Sequence, residues 1–204
     1  MGRIFYIMGK SASGKDSIFR MLAADQELAL KTVTMYTTRP MRSGEEEGRE
    51  YFFRDAGFLA GKKAEGRVIE CRTYDTVFGP WSYFTLDDGQ IDLASHSYLM
   101  IGTLESYETV KEYFEARGQR IMVPLYIEVE DGERLLRAVR REQLQAEPHY
   151  AELCRRFLAD SEDFREENLK RLGIDRVFEN VEIASCVEEI KAVILEKQKE
   201  SMLY

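Results

Sequence analysis

Gly9-Lys10-Ser11-Ala12-Ser13-Gly14-Lys15-Asp16 decides the reading of this chain. It follows Arg3-Ile4-Phe5-Tyr6-Ile7-Met8, a β-branched and aromatic run of the kind that forms a buried central strand. After it, Ile18, Met21 and Leu22 fall on one face at helical spacing, so the order is strand, tight loop, helix. In that context the match to G-x-x-x-x-G-K carries a mechanism. Glycines permit the tight turns that aim backbone N–H groups inward at a phosphate, and the next helix presents its positive end to the same anion. Lys15 then reaches the outer phosphates of a nucleotide; the bland alternative is a glycine-rich turn with an exposed lysine. The motif ordinarily ends in Ser or Thr, whereas here Asp16 precedes Ser17. Asp16 is either a Mg²⁺ ligand in place of that hydroxyl, the reading favoured here, or a helix N-terminal acid with no ligand role.

Further strand-like runs lie at 30–35, 97–101, 121–129 and 176–178, and most stretches after them read as helices. This alternation predicts an α/β fold with a parallel sheet flanked by helices. Residues 36–90 break the rhythm. They are dense in Tyr, Phe, Thr and Gly and read as an insert of short strands and turns with its own small sheet, leaving 1–35 and 91–204 as a discontinuous core. Residues 134–156 are rich in arginine and read as helix, turn, helix. Residues 184–199 form an amphipathic packing helix.

The 204 residues carry 37 acidic and 29 basic side chains, a net charge of −8, which disfavours non-specific binding to nucleic acid or anionic membranes. No apolar run approaches the roughly 18 to 20 residues that span a bilayer, so the expected location is the cytoplasm. Cys71, Cys154 and Cys186 are too widely spaced for a zinc site or a disulfide framework. His96 and His149 have no recognisable catalytic setting.

Downstream of the loop comes Thr37-Thr38-Arg39-Pro40-Met41-Arg42-Ser43-Gly44-Glu45, then Gly48-Arg49-Glu50-Tyr51-Phe52-Phe53. Guanidinium groups grip phosphate through paired hydrogen bonds and a phenol adds a neutral donor. Arg39, Arg42 and Tyr51 are therefore candidates to hold a second phosphate-bearing substrate. On the residues alone, a solvated loop whose arginines pair with Glu45, Glu46 and Glu47 is the alternative.

With these runs in order and spacing, the chain resembles the guanylate kinase family. The resemblance covers most of the chain and implies ATP-dependent, Mg²⁺-assisted phosphoryl transfer to GMP, with small-molecule substrates as partners. It implies that Gly9, Ser11, Ala12, Ser13, Gly14, Lys15, Asp16 and Ser17 hold ATP, that Asn180 contacts the donor adenine, and that Arg39, Arg42 and Tyr51 hold the acceptor phosphate. Glu70 in Val68-Ile69-Glu70 is similar to the family's guanine-reading glutamate, a sensible choice because guanine offers two donors there and a carboxylate only accepts. Phe78-Gly79-Pro80 falls where the family has Tyr-Gly-Ser, so Phe78 and Gly79 belong to the same site. Arg137, Arg141 and Arg155 resemble lid arginines that close over the triphosphate, which implies a lid over 137–156; otherwise they are a charged face paired with Glu133, Glu142 and Glu152.

Departures gather on base recognition. Phe78 lacks a hydroxyl, Pro80 replaces a small polar residue, Met35 stands where a polar side chain is common, and Met100 to Gly102 lacks the family's Asp-x-Asp, with Glu105 the next acid. Two other readings stay open. One is a kinase of the same fold with another phosphorylated acceptor, such as ribose 1,5-bisphosphate or a different nucleotide, supported by the Gly-Lys-Asp-Ser ending of the loop, which resembles that of bacterial ribose bisphosphate kinases. The other is a non-catalytic binding module for phosphorylated peptides.

Overall fold

The computed structural model describes residues 1–42, 44–76 and 78–202; Ser43, in the first acceptor run, lies outside them, as do Val77, Leu203 and Tyr204. A five-stranded parallel sheet forms the centre, built from β1 (Ile4–Met8), β2 (Lys31–Thr32), β7 (Tyr98–Ile101), β8 (Met122–Glu128) and β9 (Val177–Glu179). Its order is β2-β7-β1-β8-β9. The chain leaves β1 toward β2, returns through β7, then crosses to β8 on the other side. The crevice beyond the carboxyl ends of β1 and β8 is thus the topological switch point, where open α/β sheets bind ligands.

Period-two alternation along β1 explains its complete burial. Tyr6 and Met8 join Tyr98, Met100 and Tyr126 on the face covered by α3 (Leu104–Glu115), where Tyr107, Val110 and Phe114 meet them. Phe5 and Ile7 point to the opposite face, against Ile18 and Leu22 of α1 (Lys15–Ala24) and Val187, Ile190 and Ile194 of α7 (Ile183–Met202). With helices on both faces, β1 has no solvent side, so its sequence is apolar throughout.

The second sheet has the order β4-β3-β6-β5, from β3 (Tyr36–Thr37), β4 (Phe52–Phe53), β5 (Val68–Thr76) and β6 (Gly79–Leu86). One face is sealed by α2 (Ala56–Ala64), which packs Leu59 and Phe58 on Tyr36, Phe84 and Cys71. The other face carries the cross-strand row Phe53, Thr37, Tyr83, Arg72.

Two local expectations change. The 30–35 run splits, because the chain leaves the core sheet after Thr32 and enters the second sheet at Tyr36. The 36–90 insert also holds a helix, α2, started by the Asp55 carboxylate accepting from the Phe58 N–H at 2.7 Å. The arginine-rich segment forms α4 (Asp131–Gln143) and α5 (Tyr150–Asp163), followed by the short α6 (Glu166–Arg171). Cys71, Cys154 and Cys186 are free. Among the described residues no helix is long and apolar enough to cross a membrane.

Candidate active site

The loop between β1 and α1 is held in shape by contacts that only its sequence allows. A methyl group at Gly9 would lie 2.5 Å from the Ile127 carbonyl oxygen, so β8 requires glycine there. Gly14 has φ 85°, and a side chain on it would collide with Asn180. Ala12 adopts φ 64°, an uncommon conformation for a non-glycine residue that bends the loop back on itself. The N–H groups of Ala12, Gly14, Lys15 and Asp16 have no hydrogen-bond partner among the described residues, and α1 has no side-chain cap. A loop of free donors at a helix N-terminus is an anion site. Lys15 lies beside it, its ammonium 4.0 Å from the exposed Asp16 carboxylate. Ser13 is buried, with its hydroxyl unpartnered.

Among the described residues no cluster of three or more His, Cys, Asp or Glu could enclose a metal ion. A single exposed carboxylate such as Asp16 nevertheless suits Mg²⁺, which keeps several waters and takes its remaining oxygens from substrate phosphates.

Asn180, after β9, clasps the loop by donating from its side-chain amide to the Ser13 carbonyl at 2.8 Å. With Lys10, Glu128, Glu133 and Arg137 it also lines an open cavity of about 760 Å³ beside the loop. Arg137 donates to Glu133 at 2.9 Å and to the Asn180 carbonyl at 3.2 Å. Arg141 is exposed and edges a small cleft shared with Ser11 and Arg156. Arg155 is 66% exposed and paired with Glu152. Arg137, Arg141 and Arg155 thus face the cavity, the loop and solvent, respectively.

Sequence reasoning missed the cluster that joins lid to loop. Arg134 is 1% exposed, stacks 4.1 Å over Phe157, and donates to Asp131 (3.0 and 3.1 Å), Asp160 (3.3 Å) and the Ser11 carbonyl (3.3 Å). Asp160, on α5, accepts the Ser11 N–H at 2.7 Å. Asp131 also accepts from Lys10 at 3.2 Å. A carboxylate therefore sits on one loop amide, held by a buried guanidinium. Only the density of arginines in 134–156 hinted at this; Asp160 gave no signal, since its partner is 149 residues away.

On the acceptor side Arg39 is buried, and its guanidinium forks onto Glu45 at 2.7 and 2.8 Å beneath the Tyr51 and Phe53 rings. Its Nε is buried without a partner. Glu45 also accepts the Arg42 N–H at 2.7 Å, so one carboxylate ties the two arginine positions together, although the Arg42 side chain is exposed. Arg39 and this backbone N–H hold the Glu45 carboxyl down to about 2, while burial pushes the Tyr51 phenol up. Phe78 is 81% exposed and stacked on Trp81, next to Gly79 at φ 99°.

Glu70 is 2% exposed. Its carboxylate accepts from Arg72 Nε at 3.1 Å and from the Thr85 hydroxyl at 3.2 Å; Arg72 also donates to Thr103, the N-cap of α3, at 3.2 Å. Burial pushes the Glu70 carboxyl up, against the pull of Arg72. Beneath them the Tyr6 hydroxyl donates to Ser106 at 2.7 Å and fills the space next to Gly102. The Arg72–Thr103 bond docks the second sheet just beyond the carboxyl end of β7, at the edge of the core sheet that carries the phosphate loop.

Known proteins resemble this arrangement. The family model described as guanylate kinase matches residues 1–80, which include the loop and the Arg39 segment. Guanylate kinase of Mycoplasma mobile is 39% identical over 69 residues, 34% of each chain. The chain thus spans about a third of the length of the first curated relatives it matches. The match to guanylate kinase of Nitrosomonas europaea is longer, 38% identical over 138 residues, covering 58% of this chain and 68% of that one. The crystal structure of guanylate kinase from Anaplasma phagocytophilum superposes with a TM-score of 0.61 over 97% of this chain and 86% of that chain, at 21% identity, a likeness of fold. Because the Nitrosomonas match keeps its identity across two thirds of that protein, the chain belongs to the guanylate kinase family.

Proposed function

We propose that this protein transfers the γ-phosphoryl group of ATP to the phosphate of a purine nucleoside monophosphate; with GMP, the family's acceptor, the products are ADP and GDP. The observation that carries the reading is the pairing of a loop of free N–H donors beside Lys15 with a buried arginine, Arg39, on a sheet docked at the same edge of the core. One site suits a triphosphate, and the other suits a monophosphate.

Little covalent chemistry is asked of the side chains, because an acceptor phosphate is already ionised near neutrality. Catalysis comes from in-line positioning and from cations placed where charge develops. Lys15 and the loop amides hold the donor phosphates. Arg39, Arg42 and Tyr51 hold the acceptor phosphate, with Glu45 yielding the Arg39 fork when the phosphate enters. Arg137 and Arg141 approach from the lid, and Arg155 joins them only if α5 turns inward on closure. Asp16, together with the nucleotide's own oxygens, would hold Mg²⁺, which would supply charge neutralisation at the transferring phosphate.

The test is ADP formation from ATP and Mg²⁺ with GMP, dGMP, AMP, IMP or ribose 1,5-bisphosphate as acceptor. Lys15→Ala is expected to lower turnover by about 10² or more. A Lys15→Ala protein that keeps most of its turnover overturns the mechanism. Absence of ATP binding by titration returns the weight to the binding-module reading.

A further inference from the structure

We propose that Arg72 sets acceptor specificity by taking the Glu70 carboxylate for itself, so that the site favours purine monophosphates with a carbonyl or hydrogen at position 2, XMP and IMP, over GMP with its 2-amino group. This rests on the phosphoryl-transfer reading above and concerns the far end of the acceptor from its phosphate.

Guanine presents N1–H and the 2-amino group as two neighbouring donors. A free carboxylate on the cleft wall is the group that reads them. In this chain the carboxylate is not free. Glu70 and Arg72 are two residues apart on the same face of β5, and Arg72 Nε donates to one Glu70 oxygen while Thr85 donates to the other. The Arg72 side chain is 9% exposed, and Thr103 pins its Nη1 from the core side. Its Nη2 has no partner among the described residues and is not among the fully buried orphan atoms.

The row Phe53, Thr37, Tyr83, Arg72 puts this guanidinium on the face that carries the Arg39 pocket, whose ring Tyr51 lies 5.6 Å from Tyr83. What the wall offers a ligand is therefore a donor. A donor-bearing edge such as guanine's must either displace Arg72 from Glu70, leaving a guanidinium unpaired in a buried position, or face N–H with N–H. Hypoxanthine removes one of the two donors and keeps N1–H, and xanthine replaces that donor with an oxygen that can accept from Nη2. GMP and IMP differ only at that position, so this pair isolates the contact; XMP differs also at N3, which carries a proton that it loses near neutrality, and it tests the added acceptor.

The experiment is calorimetric titration of the intact protein, with a non-hydrolysable ATP analogue present, by GMP, IMP and XMP in turn. The wild type is expected to bind XMP and IMP about tenfold or more tightly than GMP, the ratio that one charge-assisted hydrogen bond confers. Arg72→Ala frees Glu70 and is expected to reverse the order, making GMP the tightest ligand. Arg72→Gln, close in size and uncharged, gives the same reversal if the alanine variant does not fold. Arg72→Lys keeps the pair with Glu70 and is expected to keep the wild-type order. GMP as the tightest ligand of the wild type overturns the proposal, as does an order that is the same with and without Arg72; ADP formation with any of the three then leaves the kinase reading standing. If the wild type binds none of them and forms no ADP with them, the acceptor reading falls and this proposal with it.

Discussion

Gly102→Ala is the substitution whose consequence the structure fixes most closely. Gly102 follows β7, and its N–H donates to the Ile7 carbonyl at 3.1 Å, so the backbone there is tied to β1. A methyl group on it would overlap the Tyr6 hydroxyl and lie 3.1 Å from the ring carbon that bears it. Tyr6 cannot swing aside, since it is fully buried, lies 5.6 Å from the Tyr107 ring and donates to Ser106 at 2.7 Å. Overpacking of this kind costs about 1–3 kcal/mol, and breaking the buried hydrogen bond adds about 1 kcal/mol. The expected loss is therefore about 3 kcal/mol, read as a lower urea midpoint at unchanged slope. Tyr6→Phe alone loses about 1 kcal/mol by leaving Ser106 without its donor. In the double variant the overlapping oxygen is gone and only the 3.1 Å approach remains, so the loss is about 1–2 kcal/mol, less than the two singles together. A Gly102→Ala protein as stable as the wild type, or a double variant equal to the sum of the singles, refutes the packing on which this rests.

Two further outcomes follow from the ion pairs. Glu45 has its carboxyl lowered from an ordinary 4.5 to about 2 by Arg39 and the Arg42 N–H, so its contribution is complete above pH 4.5 and disappears as the pH falls toward 2. Glu45→Gln is therefore expected to flatten the acid limb of a stability–pH profile over that window, and an unchanged limb contradicts it. Arg134→Met leaves Asp160 and Asp131 without their shared guanidinium and is expected to lower stability by about 3 kcal/mol in urea unfolding, whereas Arg155→Met at the exposed Glu152 pair changes it by less than about 1 kcal/mol. Equal losses at the two positions contradict the difference in burial.

What was legible in the sequence was whatever local spacing enforces. The phosphate loop could be read because its constraints act within eight residues of chain, and β1 because burial on both faces makes its composition continuous. The helix α2 could not be read: Ala56-Gly57-Phe58-Leu59-Ala60-Gly61 carries two glycines, and the helix exists because Asp55 caps it and Tyr36 and Phe84 cover its apolar face. The 30–35 run reads as one strand because β propensity does not reveal which of two sheets a residue joins. Helical periodicity put Arg137 and Arg141 one turn apart, yet their surroundings follow from the packing of α5 on α4. The same packing, invisible in the sequence, buries Arg134 and leaves Arg155 outside.

The departures from the family pattern are matched in space. Glu70 retains its carboxylate, and Arg72 neutralises it. Gly102 has no side chain, and the Tyr6 hydroxyl occupies that place with Ser106 as its partner. Here a buried carboxylate left alone would cost several kcal/mol, and an empty space next to Gly102 would leave a cavity at the end of the central strand. Neither defect is present: both positions are closed by groups that bring their own hydrogen bonds. On the phosphate side the loop donors, Lys15 and Arg39 retain the chemistry that binds anions, with Asp160 and Glu45 as internal carboxylates on Ser11 and Arg39. Those carboxylates accept from donors that could equally serve an anion, whereas Arg72 donates to a carboxylate that could otherwise accept from a base edge. Under the proposed function, a guanine-reading carboxylate that already has its own donor fits an acceptor site that reads a different base edge.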